Sequence, residues 1–150
     1  MKLHYHVVAS TTISGLIYLI FKSWGLASAS FLSGVFIDLD HILDVAREHG
    51  WSVKIRDFFH ICHTAQFDRI ILILHGWEWM LLGWVLAWYL HWNIWVTGFL
   101  IGLSQHMLID AVTNSPGFLT YSILWRWKQQ FDYDTIFGKR IPRRNLDSIG

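Results

Sequence analysis

Residues 70 to 90 read IILILHGWEWMLLGWVLAWYL, and after only three residues, HWN, a second apolar run fills 94 to 112. Two such runs back to back constrain this chain more than any other feature. A bilayer-spanning helix needs about 20 predominantly apolar residues, with a usable range of about 17–25. Both runs qualify, and a three-residue connection makes them antiparallel neighbours. Two shorter runs precede them, 7–21 (VVASTTISGLIYLIF) and 26–45. The expected fold is therefore all-α. It is a membrane-embedded bundle of about four helices, near 7–21, 26–45, 70–90 and 94–112, forming one domain over residues 1–150. An amphipathic connection (REHGWSVKIRDFFHICHTAQFDR) joins helices two and three, and an interfacial segment covers about 118–131.

Composition agrees. Hydrophobic residues make up 53% of the 150 and charged residues 15%, too few polar groups to cover a water-soluble domain of this size. Trp24, Trp51, Trp92 and Trp95 fall near the expected helix ends, where an interfacial aromatic belt sits. The opening MK, apolar run and LASAS have the outline of a secretory signal. Ser and Thr within the run, and apolar sequence continuing past LASAS, favour a retained helix instead. The net charge of +1 offers nothing to nucleic acid, and a lone Cys62 cannot form an intrachain disulfide.

Lys and Arg set the orientation. Arg47, Lys54, Arg56 and Arg69 lie between helices two and three, and Arg126, Lys128, Lys139, Arg140, Arg143 and Arg144 follow helix four. HWN has none, and the first connection has only Lys22. Both termini and the middle segment are thus expected in the cytoplasm of a multi-pass protein of a bacterial inner membrane.

Against that topology, GVFIDLDHILD at 34–44 puts Asp38, Asp40, His41 and Asp44 inside apolar sequence, where charge is expensive. His4 and His6 open helix one, and His60 and His63 lie in the middle segment. His75 and Glu78 begin helix three, while His106 and Asp110 end helix four. All fall on the expected cytoplasmic side. His106/Asp110 are spaced i,i+4, and Asp38/His41 and His75/Glu78 are spaced i,i+3, so each pair shares a helix face. Imidazole with carboxylate suits zinc, with manganese or iron as alternatives, and the number of candidates allows one or two ions. Expected ligands are His6, Asp38, Asp40, His41, His60, His63, His75, His106 and Asp110, with His4 and Glu78 as possible additions. Glu78 or Asp40 is the expected general base, and Lys54, Arg56 and Arg69 are expected to hold substrate phosphate. His91, at the opposite end, is expected to be a packing residue, and Cys62 a small apolar filler.

The segments HVVAS, FIDLDH, HT and GLSQHMLIDAVTNSPGFLTYSILWRW resemble the YdjM-like family of inner-membrane metal-dependent hydrolases over about residues 6–127. The family positions fall on His6, the D-x-D-H of Asp38, Asp40 and His41, His63 with Thr64, the H-x-x-x-D of His106 and Asp110, and the turn at 113–117. Ile37 stands where the family commonly has proline, and HICHTA replaces H-R-G-x-T-H-S. The resemblance implies a hydrolase with a distant likeness to zinc-dependent phospholipase C. It implies metal-activated water acting on a phosphoester or ester of a lipid-like substrate, with membrane lipids as surroundings. The alternative is a metal transporter or membrane metal sensor without hydrolytic activity. Carboxylates beside the histidines make a haem site a poorer fit. Oligomeric state is not legible in the sequence.

Overall fold

In the computed structural model, which describes residues 3–64, 66–114 and 117–138, the chain is helical and the described residues form no strand. Helix α1 is Leu3–Phe21, α2 is Trp24–Phe36, α3 is His41–His49 and α4 is Ile55–Thr64. Then come α5, Trp77–Tyr89; α6, Ile94–Thr113; α7, Ile123–Lys128; and α8, Tyr133–Phe137. The basic tail from Lys139, and Ser115 and Pro116 of the expected turn, lie outside the described residues.

Among the described residues, three stretches are long and apolar enough to cross a membrane: His4–Phe21, Trp24–His49 and Ile94–Thr113. The second is interrupted by a 3-10 turn, Ile37–Asp40, which joins α2 to α3. That turn carries the D-x-D motif and buries both its carboxylates. Among these stretches, α2 packs most extensively on α6, and α1 lies against both. Small residues permit the close approach. A side chain at Gly98 would meet the Leu26 carbonyl, and one at Gly102 would meet the Ser30 carbonyl and Ser33 Oγ. Ser33 Oγ donates to the Phe99 carbonyl at 2.8 Å across the same interface. Asn93 starts α6 by accepting from the amides of Trp95 and Val96, so HWN reverses the chain as its spacing predicts.

The expected helix over 70–90 is corrected. Only Trp77–Tyr89 is helical, 13 residues, or about 20 Å at 1.5 Å per residue, short of the roughly 30 Å hydrocarbon core. Residues 66–76 instead run as irregular chain against α3. Their backbone polar groups are met by side chains, which replaces the helical hydrogen bonds given up. Asp44 accepts from the amides of Ile71 and Leu72 at 3.0 and 2.9 Å. Asp40 accepts from Leu74 N at 3.0 Å, and Glu48 from the amides of Asp68 and Arg69 at 2.8 and 2.7 Å. The three acids are spaced i, i+4 and i+8, so one face of the turn and α3 presents a ladder of acceptors to this segment.

Candidate metal centre

From the other side, Arg126 of α7 completes the clamp. It is fully buried. It donates to the carbonyls of Ile71 at 2.7 Å, Leu72 at 3.2 Å and His75 at 2.5 Å. Leu72 sits at φ 47, a left-handed conformation that a branched side chain adopts only when its surroundings enforce it. Asp44 on its amide and Arg126 on its carbonyl do so. The purpose of this bracing is visible three residues later. His75 N bonds back to the Leu72 carbonyl at 3.1 Å, and the imidazole is driven into the interior with no solvent exposure.

There it meets side chains from two other elements. His75 Nε2 lies 3.4 Å from Asp38 Oδ1, 3.4 Å from Asp110 Oδ2 and 3.1 Å from His106 Nε2. His106 Nε2 lies 3.3 Å from Asp38 Oδ1 and 3.4 Å from Asp110 Oδ2. The atoms of Asp38, His75, His106 and Asp110 all fall within 4.8 Å of one another, and all four residues are buried. A tetrahedron whose centre lies about 2.0–2.1 Å from each vertex, as for zinc with nitrogen and carboxylate oxygen, has edges of about 3.3–3.4 Å. Five of the six edges here, at 3.1–3.4 Å, come close to that size.

Tautomer chemistry strengthens the fit. His106 Nδ1 lies 2.9 Å from the Gly34 carbonyl, and His75 Nδ1 lies 3.0 Å from Asp40 Oδ2. Both partners only accept, so in each neutral ring the proton sits on Nδ1. Both Nε2 lone pairs then point at each other and at two carboxylates. Four acceptors without a donor repel unless protons or a cation lie between them. His75, outside the three apolar stretches of membrane-spanning length, shows what happens when protons do that work. Burial would lower its pKa, but the Asp40 charge and the hydrogen bonds to Asp110, Asp38 and Asp40 push it well above the usual 6.5. This buried cluster could therefore hold a metal ion.

The other expected residues sort around it. Asp40 is within a second grouping with His41 and His75, but its Oδ2 is taken by His75 Nδ1 and Leu74 N. It therefore orients the ring from behind. His6 is buried and stacks on His106 at 4.0 Å, with Nε2 3.2 Å from Asp110 Oδ1. It thus steadies Asp110 through the oxygen that faces away from the cluster. His41 Nε2 lies 3.6 Å from Asp38 Oδ1, its Nδ1 has no partner, and its side chain is 13% exposed.

Several expectations are corrected. Glu78 is not a base at the cluster. It accepts from Ser122 Oγ at 2.6 Å and from the amides of Ile123 and Leu124 at 3.0 and 3.1 Å. It caps α7, the helix that carries Arg126. Burial alone would raise its pKa, but these hydrogen bonds win and hold it below the usual carboxylate range, the opposite of the shift a general base needs. His60 and His63 are exposed on α4 and belong to neither cluster, as is true of His4, whose ring lies 4.3 Å from that of Tyr5. The short chain between Ile55 and Thr64 buries Ile61 and Cys62 instead and turns the histidines outward. Lys54 and Arg56 line a separate recess with His49 and Asp57, and Arg69 is exposed with its carbonyl held by Arg47. None of the three touches the cluster. Burial pushes the Cys62 thiol up to about 12, so it stays neutral, as expected of a filler.

Arg126 is the residue the sequence hid. It reads as one more interfacial cation in ILWRWK, and only the lone basic residue between two Trp hints at burial. No protein-family model, curated protein or solved structure matches the chain.

Proposed function

We propose that the chain is a membrane-bound metal-dependent hydrolase acting on a phosphoester or ester of a lipid-like substrate. The observation that carries this reading is the converging, fully buried set of two imidazoles and two carboxylates set among apolar helices. Asp38, His75, His106 and Asp110 would hold the ion, with zinc the best match to the edge lengths and manganese or iron the alternatives. A bound ion would acidify water and polarise the ester or phosphoryl oxygen. The protein supplies the remainder. Asp40 and the Gly34 carbonyl fix the two rings, His6 fixes Asp110, and His41, with Nε2 3.6 Å from Asp38 Oδ1, would be the acceptor for a proton released from water at the ion. One ion is favoured over two, because the Asp40–His41–His75 grouping would need the His75 Nδ1 proton already committed to Asp40.

The transporter reading has one observation in its favour. Buried Ser10, Ser14, Ser30, Ser33 and Gln105 lead away from His6 between α1, α2 and α6. Ile17, Leu26 and Ala27, packed with Ile13, Tyr18 and Ile101, close that seam. A closed site supports hydrolysis over conduction.

The orientation with both termini in the cytoplasm of a bacterial inner membrane is part of the same reading. A cysteine placed at Asn93 should react with an outside reagent, and one at Ser52 should not. The direct test is metal analysis of detergent-purified protein, with a screen of phosphoester and lipid substrates. Metal should be present and should fall in His106→Ala and Asp110→Ala but not in His91→Ala. Equal metal in all three variants, or hydrolysis that survives metal loss, overturns the proposal.

A further inference from the structure

A groove of about 440 Å³ lies between the α2–α3 segment and α4. Leu39, Ile42 and Ala46 form part of one wall, and Val53, Ile55 and Phe59 part of the other. Asp38 is the one ionisable side chain in its lining, and Asp38 is also a corner of the metal cluster. The groove therefore abuts the site at a shared residue. Its volume falls within the range of ligand pockets, about 300–1,000 Å³.

Its chemistry selects the occupant. The rest of the lining is aliphatic or aromatic side chains and one glycine. A peptide laid there would leave its backbone amides and carbonyls without partners, at a cost of several kcal/mol for each group. A hydrocarbon chain has no such groups. The first wall also belongs to a stretch apolar enough to span a bilayer, and Leu39 and Ile42 are 54% and 40% exposed along it. The groove thus opens where acyl chains are the solvent. Trp51 is 80% exposed at the rim, placed as an interfacial anchor would be.

We infer that this groove seats the single hydrocarbon chain of a membrane amphiphile whose polar head reaches the His/Asp cluster. The head assignment rests on the hydrolase reading; the chain assignment stands on the groove itself. Entering sideways from the bilayer, the substrate would present its head to buried ligands without crossing water.

The test is photolabelling of the full chain in phosphatidylcholine nanodiscs with hexadecyl phosphate carrying a diazirine at the chain terminus. Labelled positions are mapped by mass spectrometry. Label should concentrate on groove residues such as Leu39, Ile42 and Phe59, about tenfold over the more exposed Leu81 and Val85 of α5. Unlabelled hexadecyl phosphate should compete and inorganic phosphate should not. Ala46→Phe, which fills the groove, should lower groove labelling about tenfold with metal content unchanged. Even labelling of the groove and α5, or full labelling in a folded Ala46→Phe, overturns the inference. Should that variant fail to fold, the wild-type map decides alone. Hexadecanol competing as well as hexadecyl phosphate would uphold the chain seat while removing the metal-bound head. Failure of the hydrolase reading is thereby told apart from failure of the groove.

Discussion

Arg126→Met tests whether the metal centre depends on a residue that touches no ligand atom of it. The substitution keeps an unbranched apolar stem and removes the guanidinium. Four charge-assisted bonds disappear, to the carbonyls of Ile71, Leu72 and His75 and, at 3.4 Å, to Ser122 O, which keeps the Arg126 amide. Leu72 O keeps the His75 amide as a partner. The carbonyls of Ile71 and His75 lose the donor that Arg126 supplies, at about 1–3 kcal/mol each when buried. The guanidinium's own desolvation cost is recovered, which offsets part of that roughly 2–6 kcal/mol, so a net destabilisation of about 1–4 kcal/mol follows. Leu72 then has less to hold it at φ 47, and relaxation of that residue moves the segment that aims His75. Metal affinity should fall about 10–100-fold, the usual effect of removing a group that orients a ligand. Chelator competition and thermal denaturation in the same detergent give both numbers. Arg126→Lys, one ammonium in place of a fork, should lie between. Unchanged affinity and unchanged melting temperature in Arg126→Met would refute the clamp.

Other outcomes follow from the same geometry. Asp40→Asn keeps the shape but weakens the hold on His75 Nδ1, and should lower metal affinity about 10–100-fold with little loss of fold, read by chelator competition. Glu78→Gln should retain metal and cost about 1–2 kcal/mol, because an amide cannot accept at both positions that receive Ser122, Ile123 and Leu124; metal loss in this variant would show that it acts at the site after all. The raised His75 pKa gives a signed pH dependence. In metal-free protein its ion pairing stabilises fully below the ordinary 6.5 and fades as pH rises through the raised value, so melting temperature should drop as pH rises above about 6.5. Metal affinity should climb over the same range, tenfold per unit for each proton displaced, and a flat profile in both would contradict the shared proton–metal site.

The apolar stretches of membrane-spanning length, the all-helical class and the HWN reversal were legible in the sequence because they depend on local composition and length. The Asp38, His106 and Asp110 set was legible too. Acidic and imidazole groups inside apolar runs cost too much to be incidental, and helical spacing puts His106 and Asp110 on one face. His75 was found for that reason but given the wrong backbone. Its apolar neighbours read as helix, and only the tertiary structure supplies Asp44, Glu48 and Arg126 to satisfy an irregular chain in their midst. The same dependence on partners separates Glu78 from Asp40. Both are carboxylates near a histidine in sequence, yet one faces the start of α7 and the other a ring nitrogen. His60 and His63 have the spacing of ligands, but α4 turns them outward. Periodicity ranks residues by the face of their own helix; which face meets which element is decided by packing between segments distant in the chain, and a cluster that could hold a metal arises only in that meeting.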